Sequence, residues 1–204
     1  DAGAKALADA ARSGALRALE HLSLSSNSIG RVGIQALASA ATVATVAVAA
    51  SGADSSLAKL AELNLYDNKL GADGCAALSD ELGRGALASL RRLFLGANAI
   101  GTEGCKRFAA CLLLDEDGDG SGALPELRTL HLYRNGIGKD GIVQLGKALH
   151  GWGLHRVTEI VLDGNDLDHR PKQFVLDALS RRAWARVVLH QWQQAIHQVH
   201  KAEL

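Results

Sequence analysis

Residues 19–30 read LEHLSLSSNSIG, and the spacing of leucine, asparagine and glycine in this stretch decides the fold. The pattern LxxLxLxxNxIGxxG recurs with its first leucine at Leu60, Leu90 and Leu127. A weaker fifth copy begins at Val157 and lacks the two glycines. Internal repetition at such intervals is typical of solenoids, in which similar units stack side by side.

Each copy predicts a strand, a turn and a helix. The alternation in Leu22-Ser23-Leu24 favours a short strand with its leucines inward, and the asparagine three residues later can be buried only if its amide bonds the turn backbone. We expect the first glycine of each copy to permit a turn that a side chain would obstruct; these are Gly30, Gly71, Gly101 and Gly138. The following helix has apolar residues at helical spacing, for example Cys105, Phe108 and Ala109.

The repeated pattern, over roughly residues 1–167, resembles the ribonuclease-inhibitor-like class of leucine-rich repeats. That class includes Ran GTPase-activating proteins and the repeat domains of cytoplasmic immune receptors. The resemblance implies an α/β solenoid, with a parallel sheet on the concave face and helices on the convex face. It implies no single function.

We expect one domain over residues 1–204, with about five repeats. The predicted divisions are 1–15 (the helix half of a repeat), 16–56, 57–86, 87–123, 124–153, 154–183 and a degenerate strand with a terminal cap at 184–204. Since residues 1–15 lack a strand, we expect a fragment or preceding repeats.

Unequal asparagine intervals predict two insertions. The first, near 41–56, extends the helix or forms a loop, and we favour a lengthened helix that ends at Ser51-Gly52; the second is 115–122. At the other end of the chain, the sequence predicts a fifth helix over 171–182. The leucine positions of the pattern continue at Trp184, Val187 and Leu189, and Trp192 replaces the asparagine.

Stacked strands place their outward residues in columns across the concave face. Two columns read Ser23, Asn64, Phe94, His131, Val161 and Ser25, Tyr66, Gly96, Tyr133, Asp163, and a third reads His21, Glu62, Arg92, Thr129, Glu159. Tyrosine and arginine often anchor interfaces because they combine large area with a polar tip. We therefore predict partner binding over Tyr66, Arg92, Phe94, His131 and Tyr133, with Glu62, Asn64, Glu159 and Asp163 around them. The alternative is an inert repeat surface.

Residues 115–126 fit the calcium-loop pattern DxDxDGx5E. By this resemblance the ligands would be Asp115, Asp117, Asp119, Ser121 and Glu126. Gly122, Pro125 and the commitment of the next segment to a strand depart from the pattern. The alternative is a solvated Asp/Gly-rich loop.

Composition excludes several other classes. The 22 basic and 22 acidic residues balance, which disfavours nucleic-acid and anionic-membrane binding, and no apolar run reaches the roughly 18 residues of a membrane span. Three cysteines without a CxxC pair favour a reducing compartment, cytoplasmic or nuclear-cytoplasmic. We expect Cys75 and Cys105 to be buried packing residues, and His190, His197 and His200 to be polar surface.

The sequence thus predicts a non-catalytic scaffold that binds a protein partner on its concave face, as a monomer within a longer chain, without an obligatory cofactor. One alternative is a GTPase activator similar to the Ran-specific family, acting on a small GTPase, with Arg92, Arg134 and the turn asparagines as nominal candidates. Another is the ligand-sensing repeat arm of a larger receptor.

Overall fold

Strand–turn–helix units follow one another along the chain. The structure, a computed structural model, describes residues 1–42, 57–113, 123–150, 154, 156–166 and 186–187. Its elements are α1 (Ala2–Arg12), β1 (His21–Ser23), α2 (Arg31–Ala41), β2 (Glu62–Asn64), α3 (Gly71–Gly83), β3 (Arg92–Phe94), α4 (Gly101–Leu112), β4 (Thr129–His131), α5 (Lys139–His150), β5 (Glu159–Val161) and β6 (Arg186–Val187).

The described strands form one parallel sheet in the order β1 to β6. Its register aligns Leu63 with Leu22 on one side and with Leu93 on the other, and the row continues through Leu130, Ile160 and Val187. Each of the helices α1 to α4 packs against the next. The predicted leucine-rich-repeat solenoid is therefore confirmed, and β6 confirms a sixth strand at Val187; Trp184, Leu189 and Trp192 lie outside the described residues.

The core lies between the sheet and the helices. Leu63, Leu93 and Leu130 are fully buried, as the inward phase of the alternation predicts. The helix residues that face them are also buried, among them Ile34, Leu37, Cys75, Leu78, Cys105, Phe108, Ile142 and Leu145. A repeat has one apolar side, so each unit depends on its neighbours for burial.

The regular spacing of asparagine corresponds to a hydrogen-bond ladder between turns. In the third copy, the Asn98 side-chain amide donates to the carbonyl of Leu65 in the preceding repeat at 2.8 Å and to that of Leu95 in its own at 3.1 Å. The Asn135 side-chain oxygen in turn accepts from the Asn98 backbone N–H at 2.8 Å. Asn98 is 0% exposed, so the predicted buried, turn-bonding role is confirmed.

The first insertion departs from its prediction. Helix α2 ends at Ala41, and Thr42 is extended with φ −69° and ψ 129°. The prediction that α2 continues without a break to Ser51-Gly52 is therefore wrong, because the helix already ends before Thr42. The Thr42 hydroxyl donates to Glu81 Oε2 on α3 at 2.9 Å, and β-branched residues disfavour helix continuation. Residues 43–56 and the predicted fifth helix at 171–182 lie outside the described residues.

The two glycines of the pattern have different structural roles. Gly71 and Gly101 have φ of +60° and +66°, but Gly30 has φ −108°, so a left-handed turn is not common to all copies. The second glycine matters for helix packing. A Cβ on Gly104 would lie 2.7 Å from Ile100 Cγ2 and 3.0 Å from Ala72 Cα on the preceding helix. Its missing side chain lets α3 and α4 approach each other.

Replacing Asn98 with Ala should lower the free energy of unfolding by about 1–3 kcal/mol, because carbonyls of two buried turns lose their donor. Urea denaturation followed by circular dichroism measures this loss.

The matched control is Asn27→Ala. Asn27 is exposed, and its amide donates only within its own repeat, to the carbonyls of Leu24 and Ser25 at 3.0 Å. We expect a smaller loss there; equal losses at both positions would contradict a ladder that links repeats.

Candidate functional site

The strand register places the predicted columns side by side on the concave face, the side of the sheet opposite the helices. Glu62 pairs with Arg92, and Asn64 with Phe94, which pairs in turn with His131. The same register continues beyond the strand ends. The Tyr66 carbonyl accepts from the Ser26 backbone N–H of the preceding repeat at 2.8 Å, and the Tyr133 carbonyl accepts from that of Ala97 at 2.9 Å. All nine residues proposed for partner binding therefore lie on this face.

Four rings form an aromatic cluster at the centre of the face, composed of Tyr66, Phe94, His131 and Tyr133. The rings of Tyr66 and Tyr133 stack with centroids 5.4 Å apart and an interplanar angle of 27°. Phe94 meets His131 edge to face at 4.7 Å, and His131 lies 6.1 Å from Tyr133. These are favourable aromatic geometries, so the rings hold one another in place.

Gly96 explains how two tyrosines from non-adjacent repeats can stack. Tyr66 and Tyr133 are separated by one repeat, and neighbouring strands are about 4.8 Å apart. The Tyr133 ring closes this gap by lying over Gly96, where a Cβ would be 2.5 Å from its Cε1 atom. The order Tyr, Gly, Tyr along this column is visible in the sequence, but a stack across the glycine depends on a side-chain conformation that spacing does not give.

The environment of the cluster shifts two pKa values. Burial raises the pKa of Tyr133, and the neighbouring Tyr66 raises it further. Burial lowers the pKa of His131 despite the opposing effect of Glu159. The His131 Nε2 to Glu159 Oε1 distance of 3.6 Å is thus a contact of a neutral imidazole with a carboxylate at neutral pH, rather than an ion pair.

Polar pairs border the cluster. Glu62 Oε2 lies 2.5 Å from Arg92 Nη2 and 3.4 Å from His21 Nδ1. The Thr129 hydroxyl donates to Glu159 Oε2 at 3.3 Å. These partly exposed pairs add at most about 1 kcal/mol each to stability, and their main effect is to orient side chains on the face.

Two further polar residues differ in their bonding. Asn64 Oδ1 accepts from the Tyr66 backbone N–H at 3.0 Å, so part of its bonding capacity supports the turn. Asp163 Oδ1 is buried and makes no hydrogen bond with the residues that the structure describes.

Sequence comparison identifies the repeating unit. The family model described as "Leucine Rich repeat" matches residues 16–38 and 56–79, which contain the strands β1 and β2. These two segments are therefore similar to leucine-rich repeats. A comparison with curated protein sequences gives no match.

Structural comparison extends the similarity in fold to nearly the whole chain. The chain is similar to the solved structure of "Leiomodin-1 Actin-Binding Site 2 (ABS2)", with a TM-score of 0.59 and 16% sequence identity. The similarity covers 96% of this chain and 95% of that one. At this identity the likeness concerns the fold.

The proposed calcium ligands are only partly described. Asp115, Asp117, Asp119 and Ser121 lie outside the described residues. Glu126, the expected bidentate ligand, has its two carboxylate oxygens 2.6 and 2.5 Å from Arg156 Nη1 of the next repeat. Within the described ranges, no three His, Cys, Asp or Glu residues form a group that could hold a metal ion.

The cysteines of the described repeats are packing residues. Cys75 and Cys105 are fully buried on adjacent helices, as predicted. Burial raises the pKa of Cys105 and of Cys111 to about 12 and that of Cys75 still further, so all three are neutral thiols at neutral pH. His190, His197 and His200 lie outside the described residues. No helix in the described part of the chain combines the length and the apolar composition needed to cross a membrane.

Replacing Gly96 with Ala should separate the two tyrosine rings, because the new Cβ would overlap the Tyr133 ring. As the ring moves away from Tyr66 towards solvent, the pKa of Tyr133 should fall towards its ordinary value. Phenolate absorbance against pH measures this directly, since Tyr66 and Tyr133 are the two tyrosines of the sequence. Gly83→Ala is the control, because a Cβ there meets nothing within 4 Å; an unchanged titration in Gly96→Ala would contradict the packing described.

Calorimetric titration with millimolar calcium should give no saturable heat, because a calcium-bound Glu126 would first have to leave Arg156. A heat that disappears in Asp117→Asn would show instead that residues 115–126 form a calcium site.

Proposed function

We propose that this chain is a non-catalytic protein-binding scaffold whose partner docks on the concave face, over the aromatic cluster. The observation that carries the proposal is the stacking of Tyr66 on Tyr133 across Gly96, next to the Phe94–His131 pair. The four rings thus come from three consecutive repeats, two of them from strands and two from the segments just after the strands, with polar groups around them.

The geometry favours binding because the rings are already ordered. Binding normally costs roughly 0.5–1.5 kcal/mol for each flexible side chain that becomes fixed. Rings held by their neighbours incur less of this cost, while each still offers a large contact area and, for tyrosine, a hydroxyl group. A central aromatic region with a polar border also matches the usual anatomy of interfaces.

The polar border supports recognition rather than chemistry. The Arg92 guanidinium is bound to the Glu62 carboxylate, and the Glu159 carboxylate accepts a hydrogen bond from the Thr129 hydroxyl, so each of these charged groups already has a partner on the face. A GTPase activator would need a residue free to enter the partner's active site. No feature of the described residues favours that alternative or a receptor arm.

We also propose a cellular compartment, a repeat class and a first partner to test. Three neutral thiols without a disulfide among them suit a reducing, cytoplasmic compartment. The double glycine of the repeats supports membership of the ribonuclease-inhibitor-like class. Actin is a reasonable first partner to test, because the similar leiomodin-1 structure is that of an actin-binding site.

The double variant Tyr66→Ala/Tyr133→Ala should weaken partner binding by about tenfold or more, since central aromatic anchors typically contribute over 1 kcal/mol. Partners are recovered on immobilised wild-type chain, and the affinity of each for both proteins is then measured by biolayer interferometry. Co-sedimentation with filamentous actin tests the first candidate separately.

Ser23→Ala is the control, because Ser23 lies on the same face in β1 but outside the aromatic cluster. A partner that loses affinity for the double variant and keeps it for Ser23→Ala supports the proposal. If every recovered partner binds the double variant and the wild-type chain equally, the concave face is not the binding site.

A further inference from the structure

Arginine occupies the same position in two consecutive repeats, directly before the strand. Arg91 follows Leu90 as Arg128 follows Leu127, and we call these two arginines the arginine pair. The Arg128 backbone N–H donates to the Arg91 carbonyl at 2.8 Å, as the Arg91 N–H donates to the Ala61 carbonyl of the preceding repeat at 2.8 Å. Since neighbouring strands lie about 4.8 Å apart, the two side chains start next to each other at the amino-terminal edge of the sheet.

Further hydrogen bonds fix the backbone of the arginine pair. The Arg91 carbonyl also accepts from the Thr129 N–H at 3.0 Å, and the Arg128 carbonyl accepts from the N–H groups of Thr158 and Glu159 at 2.8 and 3.0 Å. The Thr158 hydroxyl donates to the Arg128 carbonyl at 3.3 Å. The two Cα atoms cannot separate without breaking these bonds, so the distance between the two arginine backbones is set by the sheet.

The side chains of the arginine pair have no countercharge. Both are exposed, and neither side chain forms an ion pair or a hydrogen bond with the described residues. The acids at neighbouring positions already have partners, since Glu62 Oε2 lies 2.5 Å from Arg92 Nη2 and Glu126 Oε1 lies 2.6 Å from Arg156 Nη1. The charge pairs at this edge of the sheet therefore leave the arginine pair unmatched.

The other members of the same row supply no nearby anion. Ala61 stands before the arginine pair and Thr158 after it. The row begins at Glu20, whose carbonyl accepts from the Ala61 N–H at 2.8 Å, so its carboxylate belongs to a strand roughly 10 Å from that of Arg91. Salt screens exposed charges over about this distance. Like charges on neighbouring strands repel, so a negative group placed between them would stabilise the pair.

The chemistry of the arginine pair favours carboxylates on an extended segment. A guanidinium binds a carboxylate through two parallel hydrogen bonds. Alternate side chains of an extended segment lie about 6.6–6.8 Å apart, and two long arginine side chains that start about 4.8 Å apart can reach both. Lys59, exposed in the preceding repeat, adds a third cation. The 22 basic and 22 acidic residues of the whole chain balance, so the site lacks the wide positive field that attracts nucleic acid.

From these observations we infer that the arginine pair is a docking site for an acidic segment of a protein partner. Two carboxylates of that segment, two residues apart, each bind one guanidinium group. The site adjoins Arg92 at the border of the concave face but contains no residue of the aromatic cluster. The inference therefore does not rest on the proposed function, and an aromatic cluster that binds nothing would leave it intact.

The test uses a fluorescently labelled octaglutamate peptide, titrated into the wild-type chain and followed by anisotropy. The variant Arg91→Gln/Arg128→Gln removes both guanidinium groups of the site. The matched control is Arg31→Gln/Arg107→Gln, which changes the formal charge equally at exposed positions of α2 and α4. Circular dichroism verifies that both variants are folded.

We expect saturable binding that shifts the side-chain Nε–Hε magnetic resonance signals of the arginine pair. Arg91→Gln/Arg128→Gln should weaken binding at least about tenfold, because two charge-assisted contacts are lost, whereas the control variant should bind within about twofold of wild type. An octaglutamine peptide, which has no side-chain charge, should not bind.

Four results would overturn the inference. The first is no binding at up to about 1 mM octaglutamate, and the second is an equal loss of affinity in the two arginine variants, which would indicate unspecific charge attraction. The third is equally tight binding of octathymidylate, which would make the site one for nucleic acid. The fourth is octaglutamate binding only to Asp115→Asn/Asp117→Asn/Asp119→Asn, which would assign the arginine pair to acidic residues of the same chain.

Discussion

The buried asparagine of the second, third and fourth turns (Asn68, Asn98 and Asn135) is the constraint on which the structure depends. Its carboxamide is surrounded by leucines and must be fully bonded, and the available partners are backbone groups of its own turn and the turns on either side. A turn can therefore be satisfied only when the neighbouring units are in register. Hydrogen bonding sets the register, and the leucines between sheet and helices supply the apolar burial that stabilises it.

Fixed register is also what creates the candidate site. A residue on the concave face has as its neighbours the residues at the same position in the adjacent units. Side chains from equivalent positions therefore form columns across the face. Tyr66 and Tyr133 belong to units that do not touch through their strands, and they meet because Gly96 between them has no side chain. A glycine on an outward position, usually a weak element of a strand, here permits the most specific contact of the face.

The sequence predicted the features that depend on repetition. Strand positions, inward leucines and the columns followed from spacing alone, because repeated units must adopt equivalent environments. Features that depend on a single contact were not predictable in this way. Helix α2 ends where Thr42 bonds Glu81 on the next helix, and Glu126 lies against Arg156 of the next repeat. The stack over Gly96 requires a side chain to reach across one repeat, which spacing does not reveal.

The same nearest-neighbour dependence determines the physical character of the concave face. Its rings are packed against each other, so a partner would meet aromatic side chains that are already ordered. Its polar groups are not all satisfied, because among the described residues His131 Nε2 and Asp163 Oδ1 are buried without a hydrogen-bond partner. Buried polar atoms of this kind cost free energy until a partner bonds them. Recognition at this surface therefore depends on side-chain identity.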